Sequence, residues 1–292
     1  MTDHPHITLL AGPTASGKSA LALDIAGRTG AVIVNADSQQ LYADLRILSA
    51  RPSEEDEALA EHRLYGVADA ADAWSVGRWT RAVTPLLDQL CAEGRSVVIV
   101  GGTGLYFTAL TRGIADIPEV PVRAREMADE QIDFLGEEEY RRRLAEMDPK
   151  AEAAIAPGDR QRLTRAWAVA ETTGRALSDW QAETRPILKP GTYDRLVTEP
   201  DRERLYTNCD RRVTLMVESG ALDEVRALAA RRLKPDLPAM KAVGVRDFAA
   251  HLAGKVSLKD AMDAVRQATR NYAKRQLTWF RNQTPDWDRV RP

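Results

Sequence analysis

Ile7-Thr8-Leu9-Leu10-Ala11-Gly12-Pro13-Thr14-Ala15-Ser16-Gly17-Lys18-Ser19 is the stretch from which the fold can be read. Its first five residues form a short apolar run typical of a buried strand. From Lys18 onward, Ala20, Leu21, Leu23, Ile25 and Ala26 recur at helical spacing. Between strand and helix, Gly12, Pro13, Thr14, Ala15, Ser16, Gly17, Lys18 and Ser19 satisfy the pattern G-x-x-x-x-G-K-[ST]. The glycines let the backbone curl so that successive N–H groups face an anion, and the helix adds its positive N-terminal end. Lys18 brings a point charge to the terminal phosphates, and the Ser19 hydroxyl is placed to ligate Mg²⁺. These eight residues are therefore the expected diphosphate- or nucleotide-binding set.

Two further apolar runs continue the pattern. Ala31-Val32-Ile33-Val34-Asn35 leads into Asp37-Ser38-Gln39-Gln40, and Ser96-Val97-Val98-Ile99-Val100 runs into Gly101-Gly102-Thr103-Gly104. β-Branched runs alternating with helical segments predict a parallel sheet covered on both faces, with ligand bound beyond the strands' carboxyl ends. All three polar clusters should therefore converge on one crevice. The third strand ends in glycines with no carboxylate, which disfavours a plain ATPase.

Beyond the sheet the pattern changes. From Ile117, prolines and a mixed-charge stretch over 123–143 contain no strand-like run, and helices follow, among them an amphipathic one over 159–173. The expected organisation is an α/β core over 1–116 and 191–292, a P-loop NTPase-like parallel sheet flanked by helices. An all-helical insertion would span 117–190. Past Pro200, Glu203-Arg204-Leu205-Tyr206 reads as a short strand followed by helices to the end.

Composition limits the class. The 292 residues, 44% of them hydrophobic, suffice for a large α/β domain with an insertion. No apolar run approaches the roughly 18–20 residues that cross a bilayer. Met1-Thr2-Asp3-His4-Pro5 lacks the pattern of a secretory signal, and Cys91 and Cys209 stand in no metal-ligand spacing. A cytoplasmic protein is expected. A net charge of −2 excludes non-specific coating of nucleic acid but leaves room for a local basic groove.

Several stretches taken together resemble the bacterial tRNA dimethylallyltransferases. They are residues 12–19, Asn35-Ala36-Asp37-Ser38-Gln39-Gln40-Leu41-Tyr42, Gly101-Gly102-Thr103-Gly104-Leu105-Tyr106 and Asp159-Arg160-Gln161-Arg162-Leu163-Thr164-Arg165-Ala166. Lys241-Ala242-Val243-Gly244-Val245-Arg246-Asp247 and Arg275-Gln276-Leu277-Thr278-Trp279-Phe280-Arg281 complete the set, in order over nearly the whole chain. The resemblance implies transfer of a dimethylallyl group from dimethylallyl diphosphate to N6 of adenosine 37 in tRNA, with Mg²⁺. Asp37 would be general base, Lys18 would stabilise the departing diphosphate, and Thr103 would lie near the bridging oxygen or the target nucleotide. A stacked base cannot present N6 to a deep crevice, so adenosine 37 should be flipped out of the anticodon loop.

The expected tRNA contacts are Asp37, Ser38, Gln39, Gln40, Thr103, Arg125, Gln161, Arg162, Leu163, Thr164, Arg165, Lys241, Gly244 and Arg246. To these the helix over 266–281 adds Arg270, Lys274 and Arg275, because cations recur along it with no acid in the segment. Trp279 and Phe280 read as core. A monomer with no membrane partner is expected. The chain departs from the family where most members have, after Tyr42, a basic residue, a glycine and later Asp-Ile-Gly-Thr-Ala-Lys-Pro. Here it reads Ala43-Asp44-Leu45-Arg46-Ile47-Leu48-Ser49-Ala50-Arg51-Pro52; Arg51 keeps a charge and Pro52 the turn, while Asp44 and Arg46 change the loop's polarity. The phosphate loop alone would also permit a small-molecule or nucleoside kinase, or a non-catalytic RNA-binding module switched by nucleotide.

Overall fold

A computed structural model of the chain describes residues 5–291. The amino-terminal stretch read above for a signal falls largely on residues 1–4, outside the described residues. The chain divides into two compact units, one of Met1–Thr111 with Leu188–Pro292 and one of Arg112–Ile187. The Leu188 amide donates to the Leu110 carbonyl, where the chain returns to the first unit.

The first unit is built on a six-stranded, wholly parallel sheet, ordered β3-β2-β4-β1-β5-β6. The strands are β1 (Ile7–Ala11), β2 (Val32–Asn35), β3 (His62–Arg63), β4 (Val97–Gly101), β5 (Tyr193–Thr198) and β6 (Asp288–Val290). β1, β2 and β4 are buried along their whole length, as continuous apolar runs require of strands covered on both faces. Register brings Ala11 level with Gly101, and Asn35 level with Val100, so the three carboxyl ends finish together. The predicted convergence is thus built into the strand pairing.

Helices α1 (Lys18–Thr29), α2 (Glu54–Leu59), α3 (Val76–Ala92) and α4 (Gly104–Thr111) connect these strands. On one face Ala22 and Ala26 of α1 pack with Leu10, Ile33, Val98 and Val100. On α3, the fully buried Trp79 donates its indole N–H to the Asn35 carbonyl at 3.0 Å and stacks on Tyr106 at 4.1 Å. That pair ties the ends of β2 and β4 together through the helices that follow them.

The second unit holds α5 (Val122–Met147), α6 (Pro149–Ala154), α7 (Arg160–Thr173) and α8 (Leu177–Ala182). α5 breaks at Gly136, whose φ of 75° only glycine adopts without strain. Its core gathers Ile132, Tyr140, Leu144, Leu163, Ala166 and Trp167. The mixed-charge stretch pairs with its own surroundings: Arg141 with Glu137 and Glu152, Arg142 and Arg143 with Glu139.

The first unit is completed by α9 (Arg202–Glu218), α10 (Ala221–Ala230), α11 (Val245–Leu252) and α12 (Leu258–Gln283). The expectation of a strand at 203–206 is corrected, since those residues open α9. Asp201 caps that helix by accepting from the Arg204 amide at 2.9 Å, and Leu205, Cys209 and Val213 form its buried stripe at helical spacing. Among the described residues no helix is long and apolar enough to cross a membrane.

Candidate active site

The phosphate loop curls between β1 and α1 through two left-handed residues, Ala15 at φ 61° and Gly17 at φ 87°. Four other elements hold it. The Gly12 amide donates to the Gly101 carbonyl, and the Ser16 and Thr198 hydroxyls lie 2.6 Å apart at the end of β5. Asn208 of α9 donates to the Ala15 carbonyl at 3.2 Å. Gln276 of α12 accepts from the Thr14 amide and donates to the Gly102 carbonyl, both at 2.8 Å. One buried side chain thereby ties the loop to the tip of β4. A Cβ on Gly102 would lie 2.2 Å from Gln276 Nε2, so a side chain there would displace this amide.

Lys18 is buried, with its ammonium donating to the Pro13 carbonyl at 3.2 Å. Burial lowers its pKa to about 8, the Asp37 charge opposes the shift, and Arg212 adds to it. Arg212, on α9, donates to Thr14 Oγ1 at 2.5 Å. Burial also draws its own pKa down, against the charges of Cys209 and Asp37. The loop thus faces two desolvated cations with no carboxylate bonded to either among the described residues.

Asp37 follows β2 in a turn that fixes it closely. Asn35 Oδ1 accepts from the Asp37 amide at 2.8 Å, and Asp37 Oδ1 accepts from the Gln39 amide at 3.0 Å. Thr103 Oγ1 accepts from the Ser38 amide at 2.9 Å and donates to Ser38 Oγ at 3.3 Å. The Thr103 hydroxyl thus braces the Asp37 turn from the tip of β4. Asp37 Oδ2 has no hydrogen-bond partner among the described residues. The hydroxyls of Tyr65, Tyr106 and Tyr272 are pushed well above their ordinary pKa by burial first and the Asp37 charge second, so they stay neutral around it.

These groups open into a cavity of about 170 Å³ whose polar lining includes Thr14, Asp37, Arg212, Lys241 and Arg275. Leu48, Met216, Val243 and Val265 supply an apolar side. Ser19 lies exposed in the first turn of α1, its hydroxyl free of any hydrogen bond among the described residues. No cluster of three metal-ligating His, Cys, Asp or Glu exists among those residues. This donor set suits Mg²⁺, which keeps waters and binds largely through phosphate oxygens, and does not suit a cation needing a protein cage.

The remaining expected contacts divide. Gln39 and Lys241 line the cavity, and Arg246 is exposed on α11. Gln40 is committed instead to the loop after it, donating to the Ser49 and Ala50 carbonyls at 3.0 and 2.7 Å. Gly244, at φ 96°, is buried, and a Cβ there would crowd Leu48 Cδ2 at 3.0 Å. Arg270, one of the expected tRNA contacts, is paired with Asp210 of α9 at 2.6 Å. Asp263 and Glu199 take up Arg266 and Arg281 in the same way. Lys274 and Arg275 remain along an open groove with Asn271, Thr278 and Trp279.

In the second unit, Gln161, Arg162 and Arg165 are exposed on α7, with Arg162 paired to the helix N-cap Asp159. Leu163 is fully buried and Thr164 nearly so, which places both in the helical core instead of on an RNA face. Arg125 and Arg165 lie near enough for repulsion to lower the Arg165 pKa, after partial burial as the larger cause. Neither has a carboxylate partner among the described residues.

Sequence reading missed Arg212 and Gln276. Arg212 shares a helix face with Leu205 and Cys209, and Gln276 lies on the buried stripe of α12 between Ala273 and Phe280. A polar residue on an apolar stripe was the available signal in both cases.

The model for the IPP transferase family matches residues 40–283. The chain is 59% identical to the tRNA dimethylallyltransferase of Caulobacter sp. (strain K31), over 97% of this chain and 92% of the relative. It is 57% identical to that of Phenylobacterium zucineum (strain HLK1), over 98% and 92%. The solved tRNA isopentenylpyrophosphate transferase of Bacillus halodurans superposes with a TM-score of 0.69 at 30% identity, over 98% of this chain and 89% of that one. A eukaryotic dimethylallyltransferase acting on tRNA superposes with a TM-score of 0.77 at 25% identity, over 94% and 70%. With a phosphate loop, a carboxylate and a shared crevice on this sheet, and with relatives matching end to end, the chain belongs to the IPP transferase family.

Proposed function

We infer that the protein is a tRNA dimethylallyltransferase, moving a dimethylallyl group from dimethylallyl diphosphate to N6 of adenosine 37. The observation that carries the reading is that a cationic diphosphate cradle and a carboxylate with a free oxygen open into one crevice of a chain in this family. The loop amides, Lys18 and Arg212 hold the diphosphate. Thr14 Oγ1, already accepting from Arg212, keeps its proton for a phosphate or bridging oxygen. Mg²⁺ on Ser19 Oγ and the phosphate oxygens would supply further charge neutralisation for the leaving group.

Chemistry at the other end is set by adenine. The N6 lone pair is delocalised into the ring, so attack waits on an electrophile already separating and a base for the proton. As the allylic C–O bond breaks, its electron pair passes to the diphosphate, and the N6 pair forms the new C–N bond. The N6 proton goes to Asp37 Oδ2. A base must leave the anticodon stack to reach this depth, so the target adenosine is flipped out. Action as a monomer, in the cytoplasm where tRNA is available, is part of the same proposal.

The test is nucleoside mass spectrometry of unmodified tRNA incubated with the protein, Mg²⁺ and dimethylallyl diphosphate. N6-dimethylallyladenosine is the expected product. Asp37→Asn is expected to lower turnover by about 10²-fold or more with tRNA affinity nearly intact. Bound tRNA with no new nucleoside would refute the reading.

A further inference from the structure

Gln276 lies on the buried stripe of α12, and its two partners leave its amide one orientation. The Thr14 N–H is a donor, so the Gln276 carbonyl oxygen must face it; the Gly102 carbonyl is an acceptor, so Gln276 Nε2 must face that, each at 2.8 Å. The side chain is 6% exposed. On the same helix Ala273 and Leu277 pack with Ala15 of the phosphate loop and with Leu205 and Cys209 of α9. The amide is therefore held against the loop by apolar packing as well as by its own hydrogen bonds.

The two ends of this amide reach different halves of the crevice. Thr14 carries the Oγ1 that accepts from Arg212 in the cationic cradle. Gly102 precedes Thr103, whose amide donates to the Ala36 carbonyl at 3.2 Å and whose hydroxyl accepts from the Ser38 amide, on either side of Asp37. A Cβ on Gly102 would also lie 3.1 Å from Asp37 Oδ2, so this glycine separates the Gln276 amide from the carboxylate by little more than its own backbone. A second tie between the same segments, from the Gly12 amide to the Gly101 carbonyl at 3.2 Å, lies beside the sheet. One tie would act as a hinge, whereas two at different points fix the angle of the loop to the strand tip. Each half also has supports of its own, Thr198 and Asn208 for the loop and Asn35 for the Asp37 turn.

We propose that Gln276 is a positioning residue for prenyl transfer, setting the separation between the diphosphate cradle and Asp37 without touching either substrate. The inference rests on the prenyl-transfer reading above. Transfer requires the allylic carbon and N6 to stand roughly 3–3.5 Å apart, and a misplacement of about 1 Å costs on the order of 10²-fold in rate. Because each half keeps its own supports, loosening the Gln276 tie leaves both substrates bound but out of line. The loss therefore falls on kcat.

The experiment compares Gln276→Met and Gln276→Glu with the native protein, as full chains, using dimethylallyl diphosphate and unmodified tRNA. It records kcat and the KM for each substrate from about pH 5.5 to about pH 9. Methionine fills the volume and makes neither hydrogen bond. Its kcat should fall at least about tenfold at every pH, with both KM values within about threefold of native. Glutamate adds a pH signature. Its neutral acid accepts from Thr14 and donates to Gly102 as the amide does, and burial favours that form; its anion has no proton for the Gly102 carbonyl. The variant-to-native ratio of kcat should therefore approach unity at low pH and fall at least about tenfold as pH rises, while the ratio for Gln276→Met stays level. Recovery of kcat by a proton is a result that mere packing would not give, and it carries the test if the methionine variant does not fold. A folded Gln276→Met variant with native kcat, a loss confined to the KM of either substrate, or a Gln276→Glu ratio level with pH would each overturn the proposal. A native protein that transfers no prenyl group at all would instead overturn the reading beneath it.

Discussion

Lys18 shows how one buried charge links binding to pH. Its folded-state pKa of about 8 lies below the ordinary 10.5, chiefly because burial penalises the ammonium. Between those values the unfolded chain holds a proton that the folded chain has released, so this group makes stability rise with pH across that window. Binding runs the other way. A diphosphate prefers the charged ammonium, so affinity for dimethylallyl diphosphate should fall as pH rises through about 8, and binding above that pH should take up a proton. Calorimetry at pH 8.5 in buffers of different ionisation enthalpy measures that uptake, and Lys18→Met should abolish it. A pH-independent affinity from 7 to 9.5 would show that the ammonium does not meet the diphosphate. The loop around Lys18 was legible because its chemistry is local, eight consecutive residues between a strand and a helix. Arg212 and Gln276 were not, because their partners at Thr14 lie 198 and 262 residues away in sequence.

At the scale of the element, α12 divides its duties by face. Ala261, Val265, Thr269, Ala273, Gln276, Leu277 and Phe280 are buried, while Lys274 and Arg275 border an open groove. Reading α12 as free of acids was true of the segment and misleading for the fold, because Asp210 and Glu199, on other segments, pair with Arg270 and Arg281. The sheet repeats the lesson. β1, β2 and β4 announce themselves as continuous apolar runs, whereas β5 carries exposed Asp194 and Arg195 near the sheet edge and β6 has only three residues. The ion pairing separates two variants. Removing both Lys274 and Arg275 should weaken tRNA binding and lower its salt slope by about 1.5, at roughly 0.7–0.9 per phosphate contact. Arg270→Ala should leave that slope nearly unchanged and cost about 1 kcal/mol of stability, since the partly exposed Asp210 loses its partner. Filter binding across salt concentrations and denaturant melts decide it; a slope that falls with Arg270→Ala would return that residue to the RNA face.

At the scale of the whole molecule, two units of different architecture each carry cations not bonded to a carboxylate among the described residues. In the helical unit Arg125 and Arg165 repel each other, while neighbouring Arg141 and Arg160 are saturated by acids. In the sheet-bearing unit Lys274 and Arg275 hold the equivalent position along their groove. Bringing like charges together without an acid costs free energy unless a polyanion repays it on binding, and a transfer RNA is long enough to meet more than one such pair. Each pair is fixed by its own core, the helical cluster around Trp167 in one case and the packing of α12 in the other. The free energies they contribute to tRNA binding should therefore add. Arg125→Ala with Arg165→Ala should weaken tRNA affinity by about 1–2 kcal/mol and leave the KM for dimethylallyl diphosphate unchanged, because the diphosphate cradle lies wholly in the other unit. Combined with the Lys274 and Arg275 changes, the loss should equal the sum of the two within about 0.5 kcal/mol. A combined loss no greater than that of either pair alone would mean that one pair binds only when the other does, so the helical unit would not be an independent RNA contact.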